Sequence, residues 1–252
     1  ACITAAHLSA LGCPTYLAAF LPGAPFDQTI REQLEAAGVQ LEFAQRAGRD
    51  QPPQVTAALV AGGDRAFVTH RHGPAAPRLD PARLRAAGIG HMHIGELATL
   101  VEMPELLTVA RAADLTVSLD CSWDETLQAS DVAQLIAGVD VFLPNAAEAN
   151  RLWAIGVADP FAPLTVVKEG EKGARAHHHG VVIRAATTPV KPVDTTGAGD
   201  AFNAGFLSRW MRGASVQEAL QAGNIAGGKA VQMAGGFAVR AAPAAARQTD
   251  PA

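Results

Sequence analysis

The chain has little cysteine, no run of basic residues and no long apolar stretch, and each absence removes a class of function. Three cysteines in 252 residues, Cys2, Cys13 and Cys121, form neither a C-x-x-C pair nor an even framework. That usage predicts free thiols and a reducing cytoplasm rather than a disulfide scaffold. A net charge of -4 with no basic cluster argues against a nucleic-acid partner. No apolar run approaches the roughly 20 residues of a membrane helix, which argues against a membrane partner. The first residues also lack the charged-then-apolar order of a signal peptide, and no internal repeat is visible. What is there is globular in composition: 49% hydrophobic, with 24 Gly and 16 Pro. A chain of this length can bury a large core as one α/β domain, here spanning 1–252.

Hydrophobic periodicity orders the elements. Residues 1–12 begin in the middle of a helix, with Ile3, Ala6, Ala10 and Leu11 on one face and Gly12 as its stop. A strand is expected at 15–20 and a helix at 28–37, ending at Gly38. Two apolar runs, 55–60 and 65–69, flank Gly62-Gly63-Asp64 and read as a β-hairpin within 54–72. From His91 the pattern becomes regular, with strands at 91–94, 115–119, 139–143 and 164–167 and helices at 97–113, 130–137 and 146–153. Such alternation predicts a parallel sheet covered on both faces. In these sheets ligands gather beyond the C-terminal strand ends. Asp120, Asn145, 168–170 and the Asp194 stretch all fall at such ends. A last helix opens with the capping box Ser215-Val216-Gln217-Glu218 and runs to about Ala234, and the Ala/Pro-rich chain after Ala241 is expected to fray.

One stretch stands out, Asp194-Thr195-Thr196-Gly197-Ala198-Gly199-Asp200-Ala201-Phe202-Asn203-Ala204-Gly205-Phe206-Leu207. Val190 to Val193 lead in as a short β-type run, and Phe202, Phe206 and Trp210 then recur at helical spacing, with Gly213 placed to end the helix. Strand end, glycine turn and helix start make an anion site, because first-turn N–H groups lack intrahelical acceptors and the dipole is positive there. A bare phosphate loop would repel Asp200. A phosphoryl-transfer site can use it, since an acceptor hydroxyl must lose its proton beside the incoming phosphate. The bland alternative, Asp200 as an ordinary N-cap, leaves the two flanking glycines unexplained.

The D-T-T-G-A-G-D-A-F-N-A-G-F-L run resembles the C-terminal signature of the PfkB, or ribokinase-like, carbohydrate kinases. The resemblance implies a three-layer α/β/α fold with a mainly parallel central sheet and a small β lid made by the hairpin. It implies Asp200 as the catalytic base, with Gly197, Ala198 and Gly199 as the anion hole. Asn145-Ala146-Ala147-Glu148 resembles the N-x-x-E motif, whose Asn and Glu help hold Mg²⁺ and phosphate, largely through water. Read without the signature, the same four residues are a helix capping box. Val166-Val167-Lys168-Glu169-Gly170 looks like the strand and turn that line the nucleotide, with Lys168 at the position where Thr or a Lys-like residue is usual. Asn224 resembles a residue near the adenine. Asp194 and Thr196, with carbonyls around Val231, Ala234 and Gly236, resemble a K⁺ site. ATP and Mg²⁺ are therefore the expected cofactors, with K⁺ beside them. A small sugar or a nucleoside is the expected acceptor, and a homodimer is implied. The family's opening strand, substrate-binding Asp and Gly-Gly turn do not precede Ala1, so the chain looks truncated. Ile3 stands where the family carries an Asn that touches the sugar, and 154–163 looks short of a helix.

Two other motifs fail on context. Gly223-Asn224-Ile225-Ala226-Gly227-Gly228-Lys229-Ala230 fits a P-loop only to its Lys, and it lies inside a helical pattern. Gly197-Ala198-Gly199 has Phe202 where a dinucleotide fingerprint needs its third glycine. His177-His178-His179 alternate faces of a strand and read as a hairpin surface rather than a metal site. The sequence thus predicts an ATP-dependent kinase of a small sugar, with a nucleoside or sugar phosphate as alternative acceptor. A catalytically silent nucleotide or sugar sensor, or a nicotinamide oxidoreductase, are the competing classes.

Overall fold

The N-terminal third is built from short pieces. The computed structural model describes residues 1–48, 55–61, 64–70, 73–122 and 127–237. Helix α1 (Cys2–Ala10) is followed by β1 (Phe20–Leu21), α2 (Asp27–Ala36) and β2 (Gln45–Arg46), with β1 and β2 paired in parallel. The strand expected at 15–20 therefore shrinks to its last residue plus Leu21, and Tyr16 makes only an isolated bridge to Gln40. Proline on either side, Pro14 and Pro22, confines the ladder because it offers no N–H. The hairpin is present as β3 (Val55–Ala61) and β4 (Asp64–His70), an antiparallel two-stranded sheet of its own. Its expected turn at 62–63 and the chain after 241 lie outside the described residues.

After α3 (Pro81–Ala86) the alternation begins: β5 (His91–Ile94), α4 (Leu97–Glu102), α5 (Glu105–Ala112), β6 (Thr116–Asp120), α6 (Ala129–Ala137), β7 (Val141–Leu143), α7 (Ala146–Ala154) and β8 (Leu164–Lys168). The single helix expected over 97–113 is two. Pro104 cannot donate to the ladder and crowds the preceding turn, and Met103 before it is pushed out of the helical region, at φ -128° and ψ 64°. Strands β9 (Ala174–His178) and β10 (Val181–Ala185) close a six-stranded sheet of order β10-β9-β8-β7-β6-β5, parallel from β5 to β8 and antiparallel beyond. His179 and Gly180 join β9 to β10 with φ of 49° and 76°, the turn geometry that suits a tight hairpin. The three histidines thus lie where the pattern put them.

Every residue of β7 is buried, and so are the first four of β8, as a sheet covered on both faces requires. Adjacent residues feed different cores. Phe142 packs with Leu97, Leu100, Val132, Ile136 and Leu152. Val141 and Leu143 instead join Phe202, Phe206, Leu207 and Leu220. The second layer comes from α1, α8 (Ala198–Trp210) and α9 (Val216–Ala230), so the architecture is three layers, α/β/α. The β-type run expected at 190–193 is absent. Pro189 and Pro192 carry no donor for a ladder, and the amides of Val193 and Asp194 both go to the carbonyl of Val231, at 2.7 and 3.2 Å. That carbonyl lies at the C-cap of α9, which ends at Ala230 and not near Ala234. The Ser215–Glu218 capping box is formed as expected.

Candidate active site

Helix α8 begins at Ala198 because Gly197 turns the chain at φ 73°, a left-handed conformation natural to glycine. Crowding adds a second constraint, since a Cβ on Gly197 would stand 2.8 Å from the Gly236 carbonyl oxygen and 3.0 Å from Ile3 Cγ2. No side chain caps the first turn of α8. Asp200 is its third residue and is partly exposed. Its Oδ1 accepts a 2.5 Å hydrogen bond from the hydroxyl of Thr4, which is 1% exposed on α1. Next to it, Ile3 packs on Gly197 and Gly236, and His7 holds the Gly236 carbonyl through Nε2 at 3.0 Å. The start of α1 is therefore the floor under the glycine turn.

The ends of β6, β7 and β8 stand side by side here. Asn145 bridges to Lys168, whose backbone N–H donates to the Pro144 carbonyl at 2.9 Å. Asn145 and Glu148 form the capping box of α7, Asn145 Oδ1 accepting from Glu148 N at 2.9 Å and Glu148 Oε2 from Asn145 N at 2.7 Å. The bland reading of that motif is thus realised; any metal role uses the remaining lone pairs of groups already fixed in place. Lys168 turns its ammonium under α8. Nζ donates to Asp120 Oδ1 at 2.8 Å and to Asn203 Oδ1 at 3.2 Å, while Asn203 Nδ2 donates to Asp120 Oδ2 at 2.7 Å. Burial works against the charge on Asp120, but Lys168 first, and then His93 and the Asn203 amide, hold its carboxyl below the usual range. Cys121 is inert by the same environment: burial above all, then Glu148 and Asp120, push its thiol up.

The remaining expected residues spread along this edge. Gly170 opens a single 3₁₀ turn, Gly170–Lys172, at φ 60° with open space beside it. Asn224 is buried on α9, and its amide nitrogen donates to the carbonyls of Ala185 and Ala186 at 2.9 and 3.3 Å. Asp194 accepts from the N–H of Thr196 at 2.9 Å and of Gly235 at 3.0 Å, which ties the lead-in loop to the chain after α9. Gly199, by contrast with Gly197, has ordinary helical geometry, so only the first glycine of the pair serves backbone conformation. Among the described residues there is no group of three or more His, Cys, Asp or Glu side chains fit for a metal ion. Sequence reasoning missed Thr4 and Asn203. Asn203 carried a signal, a polar residue between Phe202 and Phe206 on a helix otherwise apolar at that point.

Comparison with known proteins agrees with this geometry. The model of the pfkB family carbohydrate kinases matches residues 2–240. An ATP-dependent ribose-1-phosphate kinase from Halopiger xanaduensis is 31% identical over 232 residues, 85% of this chain and 72% of that protein. A 2-dehydro-3-deoxygalactonokinase from Haloferax volcanii is 30% identical over 245 residues, 85% and 75% of the two chains. With an uncharacterized sugar kinase from Archaeoglobus fulgidus the match is shorter: 30% over 112 residues, 42% of this chain and 45% of that one. A fructokinase from Xylella fastidiosa, solved with bound ATP, superimposes with a TM-score of 0.80 over 93% of this chain and 84% of its own, at 19% identity, which establishes a ribokinase-like fold. Every helix and strand described above lies within the span of the family match, and the chain belongs to the pfkB family of carbohydrate kinases.

Proposed function

We propose that this chain is an ATP-dependent kinase that transfers a phosphoryl group to a hydroxyl of a small sugar or sugar derivative. The observation that carries the reading is the start of α8, where a left-handed glycine, an uncapped first turn and a carboxylate at the third position meet at the C-terminal edge of the sheet. Asp200 takes the proton from the acceptor hydroxyl as the new O–P bond forms and the bond to the leaving ADP oxygen breaks. Gly197, Ala198 and Gly199 would present main-chain N–H groups to the charge on the transferred phosphate, Ala198 giving up a 3.3 Å hydrogen bond to the Thr195 carbonyl. Asn145 and Glu148 would hold Mg²⁺ through its waters against the nucleotide, and the ion would supply neutralisation of phosphate charge. Lys168, Gly170 and Asn224 are assigned to the nucleotide side.

A monovalent cation at the Asp194–Thr196 loop and a homodimer complete the proposal. Activity in K⁺ against Na⁺ buffer tests the first, and sedimentation velocity the second. Three free thiols suit a reducing cytoplasm, and no described helix is long and apolar enough to cross a membrane. A sugar phosphate or a nucleoside is the alternative acceptor, and the Halopiger relative's name favours the former. A coupled ADP-release screen over pentoses, hexoses, keto-deoxy sugar acids, sugar phosphates and nucleosides tests both readings. Asp200→Asn is expected to melt like the parent and to lose about 10³-fold in turnover, within the range for a general base. Near-parental turnover in that variant would end the assignment.

A further inference from the structure

We propose that Lys168 contacts the transferred phosphoryl group itself, and that Asp120 and Asn203 are positioning residues that hold its ammonium under the anion hole. The inference deepens the kinase reading and rests on it. Three elements converge on one charge: Lys168 ends β8, Asp120 ends β6, and Asn203 lies one turn into α8. The lysine and aspartate side chains are 12% and 13% exposed. A buried ion pair of this kind adds little stability over a well-packed apolar pair, so stability does not account for it. Its location is also unfavourable on local grounds. An ammonium beside the N-terminal end of a helix is repelled by the dipole unless an anion stands near. Asp120 supplies one anion, and a phosphate on the first-turn amides would supply another.

Gly199 points the same way. Its φ is not left-handed, and an added Cβ would meet only Lys168 Nζ, at an ordinary 3.6 Å. Neither strain nor crowding therefore demands glycine at this position. A side chain would instead fill the gap between the ammonium and an anion seated on the turn. Of the three donors on the ammonium, Asp120 and Asn203 take two. A cation held this way is preorganised, and it stabilises charge that spreads over the equatorial oxygens during transfer without reorganising.

The test compares Lys168→Met, Lys168→Arg, Asp120→Asn and the Lys168→Met/Asp120→Asn double variant in the full chain, by kcat, by KM for ATP and acceptor, and by thermal melting. Lys168→Met is expected to lower kcat about 10²-fold with acceptor KM within about twofold, and Lys168→Arg to restore part of the loss. Asp120→Asn is expected to cost about 10-fold. Because Asp120 acts through the lysine, the double variant should be no slower than Lys168→Met alone. The double variant also removes both buried charges together, which keeps the comparison valid where Lys168→Met folds poorly. A well-folded double variant with parental kcat overturns the inference, and so does an Asp120→Asn effect that multiplies fully with that of Lys168→Met. Asp200→Asn run alongside separates the two levels: an active Asp200→Asn removes the kinase reading, whereas an inactive one beside a fully active Lys168→Met removes only this proposal.

Discussion

Thr4 places a hydroxyl 2.5 Å from the carboxylate on which the proposed chemistry turns. A donor fixed on one oxygen of Asp200 leaves the other to face the acceptor. Thr4→Val keeps the shape and removes the donor, so turnover is expected to fall about 10-fold, the scale of one hydrogen bond to a charged group. Thr4→Ser should keep most of the activity, and steady-state kinetics on both variants decides the matter; equal rates for valine and serine would refute it. Gly197 offers a stability counterpart. Gly197→Ala forces a Cβ into the left-handed region and to within 2.8 Å of the Gly236 carbonyl oxygen. The conformation alone costs about 1–2 kcal/mol, and the clash adds to it, which urea denaturation will read. Asp200 and Gly197 were legible in the sequence because turn, helix start and charge are local features. Thr4 was not, since the contact spans 196 positions and nothing near Thr4 announces its partner.

Helix α8 is buried from Ala201 to Ser208, and it meets α9 through glycines. A Cβ on Gly205 would stand 2.6 Å from the Ala222 carbonyl oxygen and 2.8 Å from Ala226 Cβ, both fixed on α9. A Cβ on Gly223 would instead meet the ring edge of Phe202 at 2.8 Å. Backbone yields less readily than a ring edge, so Gly205→Ala should destabilise by about 1–3 kcal/mol and by more than Gly223→Ala. Thermal melting of the two variants ranks them, and a smaller loss at Gly205 would count against close helix approach as the cause. This register also positions Asn203 and the first turn of α8, so Gly205→Ala should lose activity along with stability. The elements were legible where periodicity and punctuation agreed: β5 falls on the residues expected, and both capping boxes formed. They were misread where one proline outweighed a long apolar pattern, at Pro104, or where a β-type composition lacked donors, at Pro189 and Pro192. The early end of α9 was not legible at all, because it follows from two amides of a distant loop taking the Val231 carbonyl.

At the scale of the whole molecule the sheet sets the response to acid. Strand β5 lies at the sheet edge, and its register sets His91 opposite Thr116 and His93 opposite Ser118 on β6. His91 bonds both hydroxyls at 2.8 Å, and His93 Nδ1 bonds Ser118 Oγ at 2.8 Å, while His93 Nε2 is buried with no partner among the described residues. Burial pushes His91 down to about 4 against the pull of Asp140. Burial likewise pushes His93 down to about 3; Asp120 opposes it, and the ammonium of Lys168 adds to it. Both rings are therefore neutral in the folded chain at pH 7, and the unfolded chain binds more protons as the pH drops below about 6.5. A folded value below the unfolded one means that the stability is complete above about pH 6.5 and declines as pH falls toward 4. Between pH 7 and pH 5 the linkage relation gives about 2 kcal/mol for each histidine. Both residues are partly exposed, which brings the pair to about 3 kcal/mol, a large share of an ordinary domain's stability. Urea unfolding at the two pH values should show that loss, and His91→Gln should roughly halve the slope without removing it. A chain equally stable at pH 5 and pH 7 would contradict the neutral ladder. Because His91 and His93 stay neutral in the folded chain down to about pH 4 and 3, protonation at this edge reaches the Asp120–Lys168 pair only after most of that stability has gone, so the melting temperature is expected to fall at a higher pH than turnover does.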